Sequence, residues 1–557
     1  MTAGLAEFRE LMGLMPHARL ALLGLLFDGP ASLDDLVRVS ALPRRDVEDF
    51  LAALDGAEFD PGTQRYRLAP GARDHYQDLH DEFRKHRPVL SPADEDRLCQ
   101  LAERLIQGVP PPRKRYDHVQ ATPETVVRRV KWLTETFDLS TASVLFAGDH
   151  DLTSLLLAQV ATDAKVTVAD IDEHLLAYIE DCAGQLGWPG RIGCVYADFR
   201  FGLPPALAGT ADVVFTDPPY TAEGLSLFLS RSLASLRRHS ADGRVMIAFG
   251  HSRRRPDLGR AAQREILRLD AVIDGMVPHF NSYFGAQAVG SASDLYCCQP
   301  AARTSRRIDR QARPEAARGI YTHGEHSVES QPNRAADILR LLPEIIRPGP
   351  PHPQRTGLVT AAPGPAREFG SVIGLGTLMD KGVDPSVTRR VDEFVIDLRD
   401  DPGPWLMRSL LALNADKVTC VLPRRHEGLA GFEAGAPAWE LLRRKYPSMS
   451  ARELPDAGLV TLQCERAGSR AAEAGDELAA FILQRAHGRL GNVWREGLIG
   501  VAQRGGRTLT QREARSLVES HAANSHDLAL RLMDVPVHHF GALHRAVEGS
   551  LATLMAS

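Results

Sequence analysis

The stretch Ala211-Asp212-Val213-Val214-Phe215-Thr216-Asp217-Pro218-Pro219-Tyr220-Thr221 decides the fold. An apolar run stops abruptly at a carboxylate, two rigid prolines and an aromatic ring. Proline fixes its own φ and cannot donate to a sheet ladder, so the segment reads as a buried strand followed by a tight turn. Open α/β sheets gather their chemistry at the carboxyl ends of such strands. Asp217, Pro218 and Tyr220 are therefore the first site candidates.

The flanking sequence fits this reading. Apolar, strand-like segments recur at 143–147, 165–169, 191–196 and 244–249, with helix-periodic segments at 152–160, 174–186 and 224–239. Thr122-Pro123-Glu124 opens a further helix, with proline at its first turn and Val126, Val130 and Leu133 on one face. Strands alternating with helices predict a Rossmann-like, doubly wound parallel sheet over residues 116–300.

The rest of the chain divides around this domain. Residues 1–75 predict three short helices, the second capped by Ser32 with Asp35, and a hairpin turning at Pro61-Gly62, which together read as a winged helix. On its third helix Arg44 and Arg45 are offset by Asp46, Glu48 and Asp49. A module for dimerisation or for covering a substrate fits that charge better than a DNA reader. Residues 76–115 read as a helical connector. Residues 301–367 read as an Arg/Pro/Gly-rich linker with a basic run (Arg303, Arg306, Arg307, Arg310, Arg313) and one helix at 335–346. Residues 368–557 predict a further α/β domain, with strands at 394–398, 418–422 and 458–463 and a helix at 405–413, turning helical from Arg470. Its lone Gly374-Leu375-Gly376 is weak evidence for a nucleotide. His538, His539 and His544 are read as surface histidines rather than metal ligands, and no chemistry is assigned to this half.

The 557 residues suit roughly three or four domains. With 44% hydrophobic residues, 25% charged residues and a net charge of −5, the chain carries no global field to recruit nucleic acid. Its seven cysteines include no C-x-x-C, which argues against a disulfide framework or a thiolate metal site. The opening residues MTAGLAEFRE lack the pattern of a signal peptide, and no stretch is apolar for the length of a membrane span. The expectation is a cytoplasmic protein with a small-molecule partner, no membrane, no nucleic acid, no metal, and a homodimer as the permitted assembly.

The loop after the first strand reads Gly148-Asp149-His150-Asp151-Leu152. Enzymes that methylate usually carry a glycine-rich loop here; this one has a single glycine and two carboxylates flanking a histidine. Such acids attract a cationic amine and can take a proton from it, although either aspartate would also cap the following helix. Asp170 and Asp172, ending the second strand, suit a ribose diol, and Asp198, after the third, suits an adenine amino group. At Asp217 the carboxylate and the carbonyl before the two prolines can accept from an amine, while the Tyr220 ring offers a face to a cation. Among enzymes with S-adenosylmethionine-like donors, a D-P-P-Y turn grips a nucleophilic amino group.

Together these segments resemble the branched-chain polyamine synthases, or bis(aminopropyl)spermidine synthases. The resemblance rests on Tyr116-Asp117, Ala121 to Thr125, Gly148 to Ser154, Asp170 to Glu173, the Asp217 turn, and His279-Phe280-Asn281-Ser282-Tyr283, all in one order over roughly residues 1–300. It implies transfer of an aminopropyl group from decarboxylated S-adenosylmethionine to an amine, releasing methylthioadenosine without a metal. By position, Gly148, Asp170, Asp172, Asp198 and Pro218 would hold the donor. Asp149, His150, Asp151, Asp217 and Tyr220 would serve catalysis, and Asn281 and Tyr283 would line the acceptor side. The chain departs from the family's G-D-D-D-L at His150 and has Ser282 where an acid stands, which leaves the acceptor open and makes intact S-adenosylmethionine an alternative donor. The competing readings are an amino-methyltransferase, an aminocarboxypropyl transferase, and a nucleoside-sensing transcription factor.

Overall fold

The structure, a computed structural model, describes residues 4–237, 242–301, 303–304, 308, 319–323, 326–330, 335–346, 353–362, 367–466 and 474–556. At the N-terminus the helices Leu5–Met12, His17–Asp28, Leu33–Ser40 and Arg44–Ala53 accompany a small antiparallel sheet. Its strands β1 (Ala31–Ser32), β2 (Ala57–Asp60) and β3 (Arg65–Leu68) run in the order β1-β3-β2. Ser32 Oγ accepts from Asp35 N at 3.2 Å, the cap expected from sequence. Phe8, Leu22, Leu36, Val47, Phe50 and Phe83 form a separate core for this unit. Helices Pro70–His86 and Pro92–Gly108 follow, and the second packs Leu98, Leu101 and Leu105 into the main core.

The main sheet contains β4 (Ser143–Ala147), β5 (Lys165–Asp170), β6 (Ile192–Tyr196), β7 (Val213–Thr216), β8 (Arg244–Phe249), β9 (Ala271–Ser282) and β10 (Ala292–Pro300), in the order β6-β5-β4-β7-β8-β10-β9. The pairs β4–β5, β5–β6, β4–β7 and β7–β8 are parallel. These strands are nearly continuous apolar runs because helices cover both faces. Strand order reverses between β4 and β7, which makes the gap beyond their carboxyl ends the switch point where such folds bind ligands.

The expectation of a wholly parallel sheet fails at one edge, where β10 runs antiparallel to both β8 and β9. β9 carries Pro278 and His279 and is exposed along much of one side, so its sequence lacks the apolar signature of the inner strands. The helix expected at 224–239 runs from Ala222 to Ser235 and gives way at Leu236, which bridges to Ala211; its last expected residues lie outside the described residues.

A second sheet contains β11 (Thr356–Thr360), β12 (Ser371–Gly374), β13 (Glu393–Asp397), β14 (Lys417–Pro423), β15 (Ser448–Leu454) and β16 (Leu459–Glu465), in the order β12-β11-β13-β14-β16-β15. Helices Ala474–Gln484, Leu490–Arg504, Gln511–His521 and Phe540–Ala556 complete the chain. The linker reading of 301–367 is corrected in two places. β11 is a fully buried central strand, and Ile320 and Tyr321 are buried in the main core. The expected helix is present as Ala335–Ile345. Arg306, Arg307, Arg310, Arg313 and Arg470 lie outside the described residues. Among the described residues, no single helix is long and apolar enough to cross a membrane.

Candidate active site

The loops after β4, β5, β6 and β7 enclose a cavity of about 840 Å³. After β4 the backbone turns sharply: Gly148 has φ +79° and Leu152 φ +63°. The first conformation favours glycine; the second is strained for leucine and is held by its complete burial. Asp149 caps the helix Thr153–Val160, accepting from Thr153 N at 3.0 Å and Ser154 N at 2.9 Å. Burial pushes its carboxyl up to about 7, against the downward pull of the Ser154 and Thr153 hydrogen bonds. The capping role and a place in the cavity wall coexist in this one residue.

His150 also lines the cavity, with its ring 4.4 Å from that of His118. Burial lowers the affinity of both imidazoles for protons, most strongly in His118.

Asp151 is not a free base. It lies against the cavity, but Oδ2 pairs with Arg129 Nη1 at 2.6 Å and Oδ1 accepts from Ala121 N at 2.7 Å. Arg129, on the helix Pro123–Thr136, is the organiser that the sequence reading passed over. Its Nη2 donates to Asp217 Oδ2 at 2.8 Å, its Nε donates to Asn281 Oδ1 at 2.8 Å, and its guanidinium lies 4.9 Å from the centre of the Phe215 ring. Burial alone would weaken its hold on the proton; Asp151, Tyr283 and Asp217 more than reverse that and keep it charged. A cation at the i+3 position of the Val126, Val130, Leu133 face was the available signal, since an arginine in an apolar stripe needs buried partners.

Asp217 accepts from Arg129 and from Tyr283 Oη (2.7 Å) on the same oxygen, Oδ2. Its Oδ1 has no hydrogen-bond partner among the described residues, and a fifth of the side chain is exposed, toward the cavity it lines. Burial pushes this carboxyl up to about 6, with Arg129 pulling it down and Asp151 raising it. Pro218 and Tyr220 line the same wall, the Tyr220 ring standing edge-on to Tyr283 at 6.5 Å. Asn281 is fully buried between Arg129 and Ser293 and does not line the cavity, whereas Tyr283 does. Asn281, expected on the acceptor side, thus reaches the cavity only through its hydrogen bond with Arg129.

The acids that follow β5 and β6 also separate. Asp170 lines the cavity and accepts from Asp172 N at 2.8 Å, and burial pushes its carboxyl up to about 7. Asp172 does not line it. It pairs with Arg113 at 3.2 Å and caps the helix Glu173–Gln185 through His174 N. Of the two acids expected beside a nucleoside, Asp170 thus faces the cavity, while the chain turns Asp172 away from it into the helix cap. Asp198 lines the cavity with its oxygens already taken. Arg200 clasps it bidentately at 2.9 and 2.7 Å, and Trp405 Nε1 donates at 2.9 Å. Burial would raise this carboxyl, yet Arg200 and Trp405 hold it below its ordinary value.

Trp405 belongs to the second α/β unit, and the strap 319–323 adds Tyr321 to the wall. The strap is pinned by Thr322 to Asp117 (2.6 and 2.7 Å) and by Thr221 Oγ1 to Ile320 O (2.6 Å). Elsewhere, Cys297 and Cys298 are buried, with thiols pushed up by burial.

Residues 98–299 match the model of the branched-chain polyamine synthase A C-terminal domain. The chain is similar to the N(4)-bis(aminopropyl)spermidine synthases of Thermococcus kodakarensis (34% identical over 189 residues) and Methanocaldococcus jannaschii (31% over 189 residues). Each alignment covers 33% of this chain and 52% or 53% of the relative, so the chain spans about half the length of the curated relatives it matches. Among solved structures it is similar to the branched-chain polyamine synthase from Thermus thermophilus in complex with N4-aminopropylspermidine and 5'-methylthioadenosine. That similarity has 22% identity and a TM-score of 0.32, covering 51% of this chain and 87% of the other. The match to that domain model is thus confined to residues 98–299, and everything after residue 299 lies outside it.

Proposed function

We propose that this chain is a transferase that moves an aminopropyl group from decarboxylated S-adenosylmethionine to an amine nitrogen, in the manner of branched-polyamine synthesis. The observation that carries this reading is the Asp217 turn. One carboxylate oxygen is locked by Arg129 and Tyr283, and the other is open to an acidic cavity at the switch point of the sheet. An ammonium acceptor would lose its proton toward Asp217 Oδ1. The freed lone pair would then attack the methylene carbon beside the donor sulfonium, forming the C–N bond as the C–S bond breaks and methylthioadenosine leaves. Fixed orientation of the two reactants would supply much of the rate gain.

Asp149 and Asp170 fit the donor side. Their proton affinities, raised by burial, fall when a sulfonium and an ammonium arrive beside them, so donor binding would release protons. Asp198 is held by Arg200 and Trp405, leaving its edge and the Tyr321 ring to border an adenine. We assign the units of the sequence reading, with the C-terminal one extended to take in β11 and shaping this pocket. Residues 4–75 we read as a winged helix that serves as a module rather than a DNA reader; Arg44 and Arg45 are answered on their own helix by Glu48 and Asp49.

A second reading, transfer from intact S-adenosylmethionine, is favoured by one observation: Lys114 and Arg255 line the cavity and can receive a carboxylate. Mass spectrometry of products, with each donor and a panel of amines, separates the two. Methylthioadenosine from the decarboxylated donor is the expected result, and S-adenosylhomocysteine would point to methylation instead. Asp217→Asn should reduce turnover by roughly 10²–10⁴-fold; full turnover in that variant would refute the assignment.

A further inference from the structure

On the far side of the helix Glu173–Gln185 the C-terminal unit returns to the main sheet through the turn Val537–His539. His538 and His539 are not helix-surface histidines; they meet Glu180 across this junction. Nε2 of His538 lies 3.0 Å and Nε2 of His539 2.5 Å from the same oxygen, Glu180 Oε2. The three potential ligand atoms lie within 4.8 Å of one another. His539 Nδ1 is 2.9 Å from Asp527 Oδ2, and the second Glu180 oxygen, Oε1, is buried without a hydrogen-bond partner among the described residues. His544, named with this pair from sequence, sits apart on Glu548.

An ion pair needs one imidazolium per carboxylate. Here two imidazoles converge on a single oxygen, both through Nε2. Behind one of them stands a carboxylate on Nδ1, the arrangement that fixes the tautomer and raises the basicity of metal-bound histidines. We propose that Glu180, His538 and His539 form a binding site for a divalent transition-metal cation of the zinc class, with Asp527 as the orienting partner. Two imidazole nitrogens and a carboxylate suit zinc. Ligand atoms about 2.0–2.2 Å from such an ion stand roughly 3.3 Å apart in a tetrahedron, so the cluster needs only small adjustments. On binding, the ion takes the place of any proton on His539 Nε2, which leaves to solvent, while the Nδ1 proton stays with Asp527.

The site would act as a clasp. Val537 N already donates to Glu173 Oε2 at 2.9 Å, and Arg408 pairs with Glu173 Oε1. A metal one helical turn or two further on would lock the helix that follows Asp170 and Asp172 against the unit that supplies Trp405.

The test uses the full chain, stripped with a chelator and then titrated with Zn²⁺ alone against a chromophoric competitor, with metal content read by mass spectrometry. One ion per chain at micromolar affinity or tighter is expected, with a rise in Tm. His538→Ala and Glu180→Gln should each weaken binding by at least about a hundredfold, and Asp527→Asn by about 10–100-fold. His538 is exposed, so His538→Ala should retain its metal-free circular dichroism. Absence of stoichiometric uptake by the unaltered chain would overturn the proposal. So would uptake left unchanged by both His538→Ala and Glu180→Gln. The readout is metal content, so neither result depends on the transferase reading.

Discussion

The two sheets contain the same small device. After β6, Asp198-Phe199-Arg200 folds so that Arg200 clasps Asp198 through Nε and Nη2 at 2.9 and 2.7 Å. At the end of β13, Asp397-Leu398-Arg399 does the same at 2.8 and 2.8 Å. In both, the arginine's own N–H also donates to the carboxylate. The first clasp is buried in the wall of the acidic cavity with Trp405 donating to it; the second belongs to the other sheet and borders no part of that cavity. An Asp-x-Arg pair at a strand end is thus a local solution for a terminal carboxylate. What surrounds it decides whether it also borders a ligand.

A second contrast lies within the main sheet. Asp198 has its own cation. Asp151 and Asp217 share one, Arg129, and Asp149 and Asp170 have none, which is why burial pushes the last two up to about 7. The shared cation is the most exposed to attack by mutation. Arg129→Met should cost about 3–5 kcal/mol of stability, because it leaves two buried carboxylates uncompensated, and it should abolish turnover. Chemical denaturation with a parallel activity assay measures both. If only activity fell, Arg129 would not be the electrostatic keystone described above.

Arg200→Met and Arg399→Met break the paired clasps one at a time. The first should cost about 3 kcal/mol and raise the KM for the donor about tenfold, since it frees a buried charge in the cavity wall. The second, whose arginine is partly exposed, should cost about 2 kcal/mol and leave donor KM unchanged. Equal effects on KM would erase the distinction between the two sheets.

The pH profile sharpens the contrast between paired and shared acids. Asp217 can accept a proton only when ionised, and burial pushes it up to about 6, so kcat/KM should be low in acid and rise through about pH 6. Asp217→Asn should remove that rising limb; a limb of unchanged midpoint in the variant would assign it to another group. The smallest effect is expected for Trp405→Phe, which keeps a ring over Arg200 but removes the N–H donated to Asp198. A loss of about 1 kcal/mol and a severalfold rise in donor KM are expected.

The Asp217 turn was legible because its information is local: an apolar strand, two prolines and an aromatic ring lie in one short segment. The Ser32 cap, the hairpin at Pro61-Gly62 and the inner strands were legible for the same reason. Asp172 misled because a strand-end acid and a helix-capping acid look alike in sequence, and only the Arg113 contact and the turn of the chain separate them. β11 and Tyr321 were hidden in a stretch whose composition resembles a linker, because a short buried strand needs few apolar residues when its neighbours supply the rest.

By itself, the sequence determined the α/β pattern, the positions of the acids at successive strand ends, and the rigid turn that offers Asp217. Those follow from periodicity and from the restricted backbone of proline. Only the tertiary structure decided which acids are free. Arg129 reaches Asp151 across 22 residues and Asp217 across 88, and Trp405 reaches Asp198 across 207. A carboxylate's charge state in a buried site depends on such distant partners, because burial penalises the ion unless a cation or donor is brought to it.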